Sequence, residues 1–374
     1  MSQRKILLVK YGSFSLVNRE VERLLSEGFP EHRLVVLDVA RDLLLRGRWQ
    51  ARLLWFKAAL LHASSVLRRK NSPWDFVLRD PAGWRLISTL MQQVADPSEV
   101  EFVFQTQSLF DASLRGVPLF VYTDHTRLAH RRYPGGRQKP MPESRWITLE
   151  RELYRKATVC FTTSRFAADS ITQDYGVPAG RVESVESGCN IDLPDAFPER
   201  SRPPRVILFL GVEWERKGGP VLLEAMKTVR QEFPDAVLEV VGCASLGWDL
   251  PGVVFRGRIP GEEVATRLLQ ADIMCLPSLS EPSAVAISEA AGYGLPVVST
   301  RVGGTPERVI HGETGLLVEP NEADSLASAL LEVMRDPAGA RRFGRAGRQL
   351  VLEKYTWRAV AEKIINRIRR ESVS

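Results

Sequence analysis

The sequence predicts an α/β protein of two doubly wound domains, each a parallel sheet covered by helices, and three observations carry that prediction. At 374 residues the chain exceeds what one compact core serves. Short β-rich apolar runs alternate with helical patterns from end to end. Between two such series, Pro194 to Pro204 holds four prolines in eleven residues. That density cannot continue a helix or a central strand, so the stretch is expected to be a stiff linker. The expected domains are 1–195 and 196–355, with an amphipathic helix over 356–374 packing back on the first.

The first strand is expected at Ile6–Val9, an unbroken apolar run too short for a helix. Leu34–Leu37, Phe102–Phe104, Leu119–Tyr122 and Thr158–Thr162 follow, rich in β-branched and aromatic residues. In the second half the strands are expected at Val206–Leu210, Val237–Val241, Val253–Phe255, Ile273–Leu276 and Val297–Ser299. Helical periodicity fills the gaps over Val221–Glu232, Glu262–Gln270, Ala284–Tyr293 and Asp324–Met334.

Composition narrows the function classes. A hydrophobic fraction of 44% with 26% charged residues excludes wholesale disorder. No apolar run approaches the ~18–20 residues that a membrane-spanning helix needs. Met-Ser-Gln-Arg-Lys leads straight into the first strand, without the apolar core and cleavage site of a secretory signal. Cys160, Cys189, Cys243 and Cys275 lie far apart beside apolar residues and read as buried thiols in a reducing compartment. The expectation is a cytoplasmic protein, free or on a membrane surface. The whole formal charge of +6 belongs to residues 1–195, with 28 Lys+Arg against 22 Asp+Glu. That half is expected to meet an anionic partner.

Ligands of doubly wound domains bind at the carboxyl ends of the strands, which directs attention to three loops. After Val206–Leu210 comes Gly211-Val212-Glu213-Trp214-Glu215-Arg216-Lys217-Gly218-Gly219. Arg216 and Lys217 with glycines at the mouth of a helix suit a diphosphate, although a solvated basic turn has the same letters. After Leu276 a loop carries Glu281, and a helix is expected to begin with Ser283 as its N-cap, leaving the amides of Ala284, Val285 and Ala286 for an anion. Glu289 falls about one and a half turns into that helix among Ala286, Ile287, Ala290 and Ala291, where a carboxylate needs a partner such as ribose hydroxyls. Gly303-Gly304-Thr305-Pro306-Glu307 is a third glycine turn after a strand.

Together these segments closely resemble the retaining glycosyltransferases of family 4 (glycosyl transferases group 1). The resemblance rests on Gly211–Gly218, on Val253–Gly257, on Glu281 and Glu289 eight apart running into Gly294-Leu295-Pro296-Val297-Val298, and on Gly303–Glu307 leading to Gly312–Val318. It holds over roughly 205–335; in the first half Ser164–Ala167 and Ser187–Asp192 match more weakly. The resemblance implies the GT-B fold, two Rossmann-like domains facing across a cleft. It further implies sugar transfer from a nucleotide-diphosphate donor, with retained configuration, no metal and no separate cofactor. By the same resemblance Arg216 and Lys217 hold the diphosphate, Glu289 the ribose, Glu281 lies near the donor sugar, and backbone near Arg256 meets the base.

Departures from the family pattern are visible. The usual Gly-Arg reads Gly211-Val212, the usual Phe-Gly reads Ser283-Ala284, and the glycine pair after the first strand is reduced to Tyr11-Gly12-Ser13. Where the family often places a His after a middle strand, this chain has Tyr122-Thr123-Asp124-His125, so Asp124 and His125 are both candidates. Departure of a diphosphate develops negative charge on phosphate and positive charge on the sugar, and fixed cations with a helix N-terminus answer the first. A front-face route, in which the leaving phosphate helps to deprotonate the acceptor, needs no protein nucleophile.

Residues 41–70 carry eight Lys+Arg and one acid, Asp42. Leu45, Trp49, Leu53, Phe56, Leu60, Ala63 and Leu67 step by three or four, with Arg46 and Lys57 on one margin and Arg48 and Arg52 on the other. This pattern fits a helix lying on an anionic membrane, and equally a core helix whose arginines snorkel. A second basic stretch, His125–Lys139, suits an anionic acceptor such as a lipid-linked phosphate, or a mobile loop. Nucleic acid is not expected, since no binding module accompanies the charge. The partners expected are therefore a UDP- or GDP-sugar donor, a glycan or lipid-linked acceptor and a membrane surface. A sugar-nucleotide epimerase and a non-catalytic nucleotide-sugar binder are the alternatives; the five histidines give the first little support.

Overall fold

In the computed structural model, residues 3–372 are described, except 13, 15, 45–48, 62–72, 79, 135–143, 197–202, 246, 248 and 249. Two units emerge: one of residues 1–130, 138–185 and 361–374, the other of 131–137 and 186–360. Of the expected linker, residues 197–202 lie outside the described residues.

The first unit's strands are β1 (Lys5–Lys10), β2 (Arg33–Asp38), β3 (Val100–Thr106), β4 (Leu119–Thr123), β5 (Val159–Thr162) and β6 (Val182–Ser184). They form a parallel sheet in the order β2-β1-β3-β4-β5-β6. Ile6, Leu7, Leu8 and Val9 are all buried, because both faces of a parallel sheet are covered and neither can be polar. Phe102, Phe120 and Phe161 form an aromatic row across β3, β4 and β5, with centroids 5.4 and 6.1 Å apart. The chain leaves β1 for β2 on one side and returns to β3 on the other. The switch point therefore falls at the ends of β1 and β3.

Around this sheet lie helices α1 (Val17–Gly28), α2 (Trp49–Leu61), α3 (Pro73–Val77), α4 (Pro81–Met91), α5 (Ser144–Lys156) and α6 (Arg165–Gln173). Asp80 caps α4, its side chain accepting from Ala82 N at 2.7 Å, with Pro81 at the first helical position.

The second unit is also built on six parallel strands, β7 (Val206–Leu210), β8 (Val237–Val241), β9 (Val253–Gly257), β10 (Ile273–Leu276), β11 (Val297–Thr300) and β12 (Gly315–Val318), in a different order. Their parallel order is β12-β11-β10-β7-β8-β9, so the switch point lies between β7 and β10. The helices are α7 (Gly219–Glu232), α8 (Gly261–Gln270), α9 (Val285–Gly292), α10 (Thr305–Arg308), α11 (Ala323–Arg335), α12 (Pro337–Lys354) and α13 (Trp357–Ser372). Helix α9 is apolar nearly all round and sunk in the core, with every residue from Ile287 to Gly292 buried. From Ala361 onward α13 belongs to the first unit, where Arg369 donates to Gly28 O at 2.8 Å and Arg367 pairs with Glu183. Among the described residues no helix is long and apolar enough to cross a membrane.

Candidate donor site

At the second unit's switch point, the loop after β7 and the loop after β10 are stitched together. Leu279 N donates to Arg216 O at 2.9 Å, and Arg216 Nη1 donates to Ser280 O at 2.6 Å. Gly218 has φ +79°, and a Cβ there would stand 1.9 Å from Pro277 O, so only glycine fits both the turn and the approach. The same argument applies to Gly303, with φ +53° and a Cβ 2.0 Å from Glu281 O. Gly304 N then donates to Glu281 O at 3.0 Å. The three loops singled out by sequence thus converge on Glu281.

The Glu281 side chain explains that convergence. Its Oε2 accepts from Lys217 Nζ at 2.5 Å and from Ser278 Oγ at 3.3 Å, while Arg216 Nη1 stands 3.7 Å away. Its Oε1 accepts from Ala284 N at 3.2 Å. Burial is the strongest influence on this carboxyl and pushes its pKa up. The Lys217 and Arg216 charges, with the hydrogen bonds from Lys217 and Ala284, outweigh it and leave the group below the usual carboxylate range. Lys217 is itself nearly enclosed, whereas Arg216 is a third exposed and also holds Glu213.

The start of α9 differs from expectation. Ser283 does not cap it; Ala284 does, in the left-handed region at φ 50°, ψ 43° and without a side-chain bond. The cause is Glu281: by taking the Ala284 amide it turns the chain there, and that amide is no longer open to an anion. The amides of Val285 and Ala286 remain the first inside the helix and have no intrahelical acceptor.

Glu289 is buried, and its Oε1 accepts from Asn190 N at 3.0 Å. Burial pushes its pKa up, against the Asn190 amide and the charges of Arg308 and Lys217. A carboxylate accepts about four hydrogen bonds, and Asn190 uses one, leaving capacity for vicinal hydroxyls. Arg308, buried beside it, donates to Ser288 Oγ and Ser187 Oγ and lies 4.4 Å over the Tyr355 ring. Arg256 sits near the carboxyl end of β9, two strands from β7, with its Nε on Glu239 Oε1 at 2.7 Å.

In the first unit, Gly12 lies at the switch point with φ +60°, its N donating to Asp38 Oδ2 at 3.2 Å and its O accepting from Asn18 at 2.7 Å. Ser13 lies outside the described residues. Asp124 and His125 follow β4 directly, half-buried. Thr123 Oγ1 donates to His125 O at 3.0 Å, and the His125 and His130 rings are 4.4 Å apart. Sequence reasoning missed the support of this loop. Glu150, fully buried on α5, accepts from Arg127 N at 3.2 Å, from Ser108 and Tyr154 at 3.1 Å each, and from Tyr175. Tyr175 Oη in turn accepts from Leu128 N at 3.1 Å, so Glu150 and Tyr175 clamp the segment after His125. An acid at the one buried position of a helix turn was the only available signal. Of the second basic stretch, residues 135–143 lie outside the described residues.

Among curated relatives, this chain is 31% identical over 228 residues to a glycogen synthase of Mycobacterium tuberculosis (strain CDC 1551 / Oshkosh), covering 57% of this chain and 54% of that protein. It is 30% identical over 239 residues to a GDP-mannose-dependent alpha-(1-6)-phosphatidylinositol monomannoside mannosyltransferase of Mycolicibacterium smegmatis, covering 56% and 62%. The matches therefore span little more than half the length of those relatives. A sucrose-phosphate synthase from Thermosynechococcus elongatus shares the fold, with TM-score 0.68 at 18% identity over 98% of this chain and 99% of that one. Family profiles described as Glycosyltransferase Family 4, over residues 35–193, and Glycosyl transferases group 1, over residues 204–336, match most of the sequence between them. The paired parallel sheets, the loop chemistry at the second switch point and these two profiles agree: the chain belongs to glycosyltransferase family 4.

Proposed function

We propose that this chain transfers a sugar from a nucleotide-diphosphate donor, UDP- or GDP-linked, to a glycan or lipid-linked acceptor, with retention and by a front-face route. The observation that supports it best is the junction of Lys217, Glu281 and the first turn of α9 at one switch point. Lys217 and Arg216 take the charge that develops on the leaving diphosphate, and the Val285 and Ala286 amides add to it. Glu281 orients Lys217 and opens α9, so it acts beside the donor sugar by holding both. Glu289 receives the ribose hydroxyls, and backbone near Arg256 meets the base. The two side-chain cations supply the charge compensation that a metal would otherwise bring.

On the acceptor side, Gly12, Asp124 and His125 belong to the first unit, which also carries the basic excess. Asp124 or His125 serves the reacting sugar, and the Glu150–Tyr175 clamp keeps their loop in place. Residues 41–70 bring the chain to an anionic membrane at the cytoplasmic face. The test is to incubate the purified full chain with UDP- and GDP-sugars, with and without lipid extracts. Nucleotide release that grows with acceptor is expected. An isomerised donor sugar, or tight binding with no turnover, would overturn the transfer reading.

A further inference from the structure

Eight large hydrophobic side chains stand exposed among the described residues, and four of them, Trp49, Leu53, Phe56 and Leu60, lie on α2. They are 67, 57, 65 and 81% exposed, and they share one short helix, whereas the other four, Leu16, Val212, Leu269 and Leu352, lie far apart in the sequence. At about 100° per residue these four fall within an arc of about 60°, one continuous stripe. Leu54 points the other way and packs against the core of the first unit. The helix is thus apolar on two faces and covered on one, a state that a water-facing helix does not keep without an occupant.

The margins identify the occupant. Arg52 and Lys57 are exposed and stand about 60° and 80° to either side of Trp49, so cations line both edges of the stripe. In sequence the period continues through Leu45, Ala63 and Leu67, which lie outside the described residues, and no acid occurs between Asp42 and Asp75. A second copy docked face to face would set these cations against cations, without a carboxylate on the face to answer them. A bilayer of anionic lipid answers both features: Trp and Phe settle at headgroup level, and Arg and Lys reach phosphate.

We propose that α2 lies in the plane of an anionic bilayer, with Trp49, Leu53, Phe56 and Leu60 inserted and Arg52 and Lys57 on the headgroups. This deepens the membrane reading of residues 41–70 and is independent of sugar transfer. The test is co-sedimentation of the full chain with vesicles of phosphatidylcholine, alone or mixed with phosphatidylglycerol. Binding to the mixed vesicles, weakened by salt, is expected. The triple variant Trp49→Ser/Phe56→Ser/Leu60→Ser should lose roughly tenfold or more of that partitioning at low and high salt. Arg52→Gln/Lys57→Gln should lose a similar factor at low salt only. Melting temperature and UDP or GDP affinity should stay unchanged in both. If the triple variant fails to fold, Leu60→Ser alone should still cut partitioning several-fold, since Leu60 touches little else. Undiminished partitioning of a folded stripe variant would overturn the proposal. So would a vesicle-independent dimer, seen by sedimentation velocity, that the stripe variant dissolves. A chain that partitions as expected but transfers no sugar would leave α2 assigned and sink the reaction instead.

Discussion

Lys217 holds buried Glu281, and under the proposed function it also binds the diphosphate, two duties that a cycle of variants separates. As a ligand for the leaving diphosphate, its loss should cost ~2.7–4 kcal/mol of barrier, about a hundredfold or more in kcat. As the partner of buried Glu281, its loss leaves a carboxylate stranded, which costs about 3 kcal/mol of stability, near the low end because Arg216 still stands 3.7 Å away. Lys217→Met with Glu281→Gln should therefore regain most of the stability in urea melts while activity stays lost; recovery of activity would remove the diphosphate role. Glu289 behaves oppositely. Folding lowers the pKa of Glu281, so its stabilisation is complete above its ordinary 4.5 and lost as pH falls through the folded value. Folding raises that of Glu289, so its contribution is complete below 4.5 and lost as pH rises through its folded value. Glu289→Gln should accordingly gain stability over the parent between acid and neutral pH, while nucleoside diphosphate affinity falls about tenfold or more through weakened ribose bonds. Calorimetric titration beside melts at two pH values reads both.

Helix α9 begins at a strained residue, and the strain has a definite sign. Ala284 pays roughly 1–2 kcal/mol for the left-handed region, and glycine there would return roughly 0.5–1 kcal/mol of it as chain entropy lost on folding. Ala284→Gly should thus stabilise the chain by about 0.5–1 kcal/mol in denaturant titration. No gain would mean that the Glu281 bond does not dictate the turn. Gly218→Ala should do the reverse by more than about 2 kcal/mol, since its Cβ would collide with Pro277 O. At this scale much was legible. Parallel strands buried on both faces read as unbroken apolar runs, and Gly218 and Gly303 stand where strands must turn. The Ser283 cap was not legible, because its competitor is a side chain two residues earlier whose role depends on Lys217, 64 positions away. Nor was the orientation of α2, since a stripe has the same period whether it faces a core or a membrane. The structure turns it outward.

Across the molecule, two six-stranded parallel sheets that differ in strand order carry unlike chemistry at their switch points. The second gathers Arg216, Lys217, Glu281 and Glu289; the first offers Gly12 and a clamped loop after β4, on the half that holds the basic excess. Alternation of strand and helix was enough to foresee the sheets. It could not join Glu289 to Asn190, 99 positions apart, or Glu150 to Arg127, because such pairs are made only by folding. The proposed function requires that the second switch point seat a pyrophosphoryl group. Calorimetric titration of UDP and GDP against UMP and GMP, on the parent and on Lys217→Met/Glu281→Gln, tests it most directly. The parent should bind the diphosphates at least about tenfold more tightly than the monophosphates, and the double variant should lose that preference. An undiminished diphosphate preference in the folded variant would mean that the pyrophosphoryl group is not seated by Lys217 at this switch point.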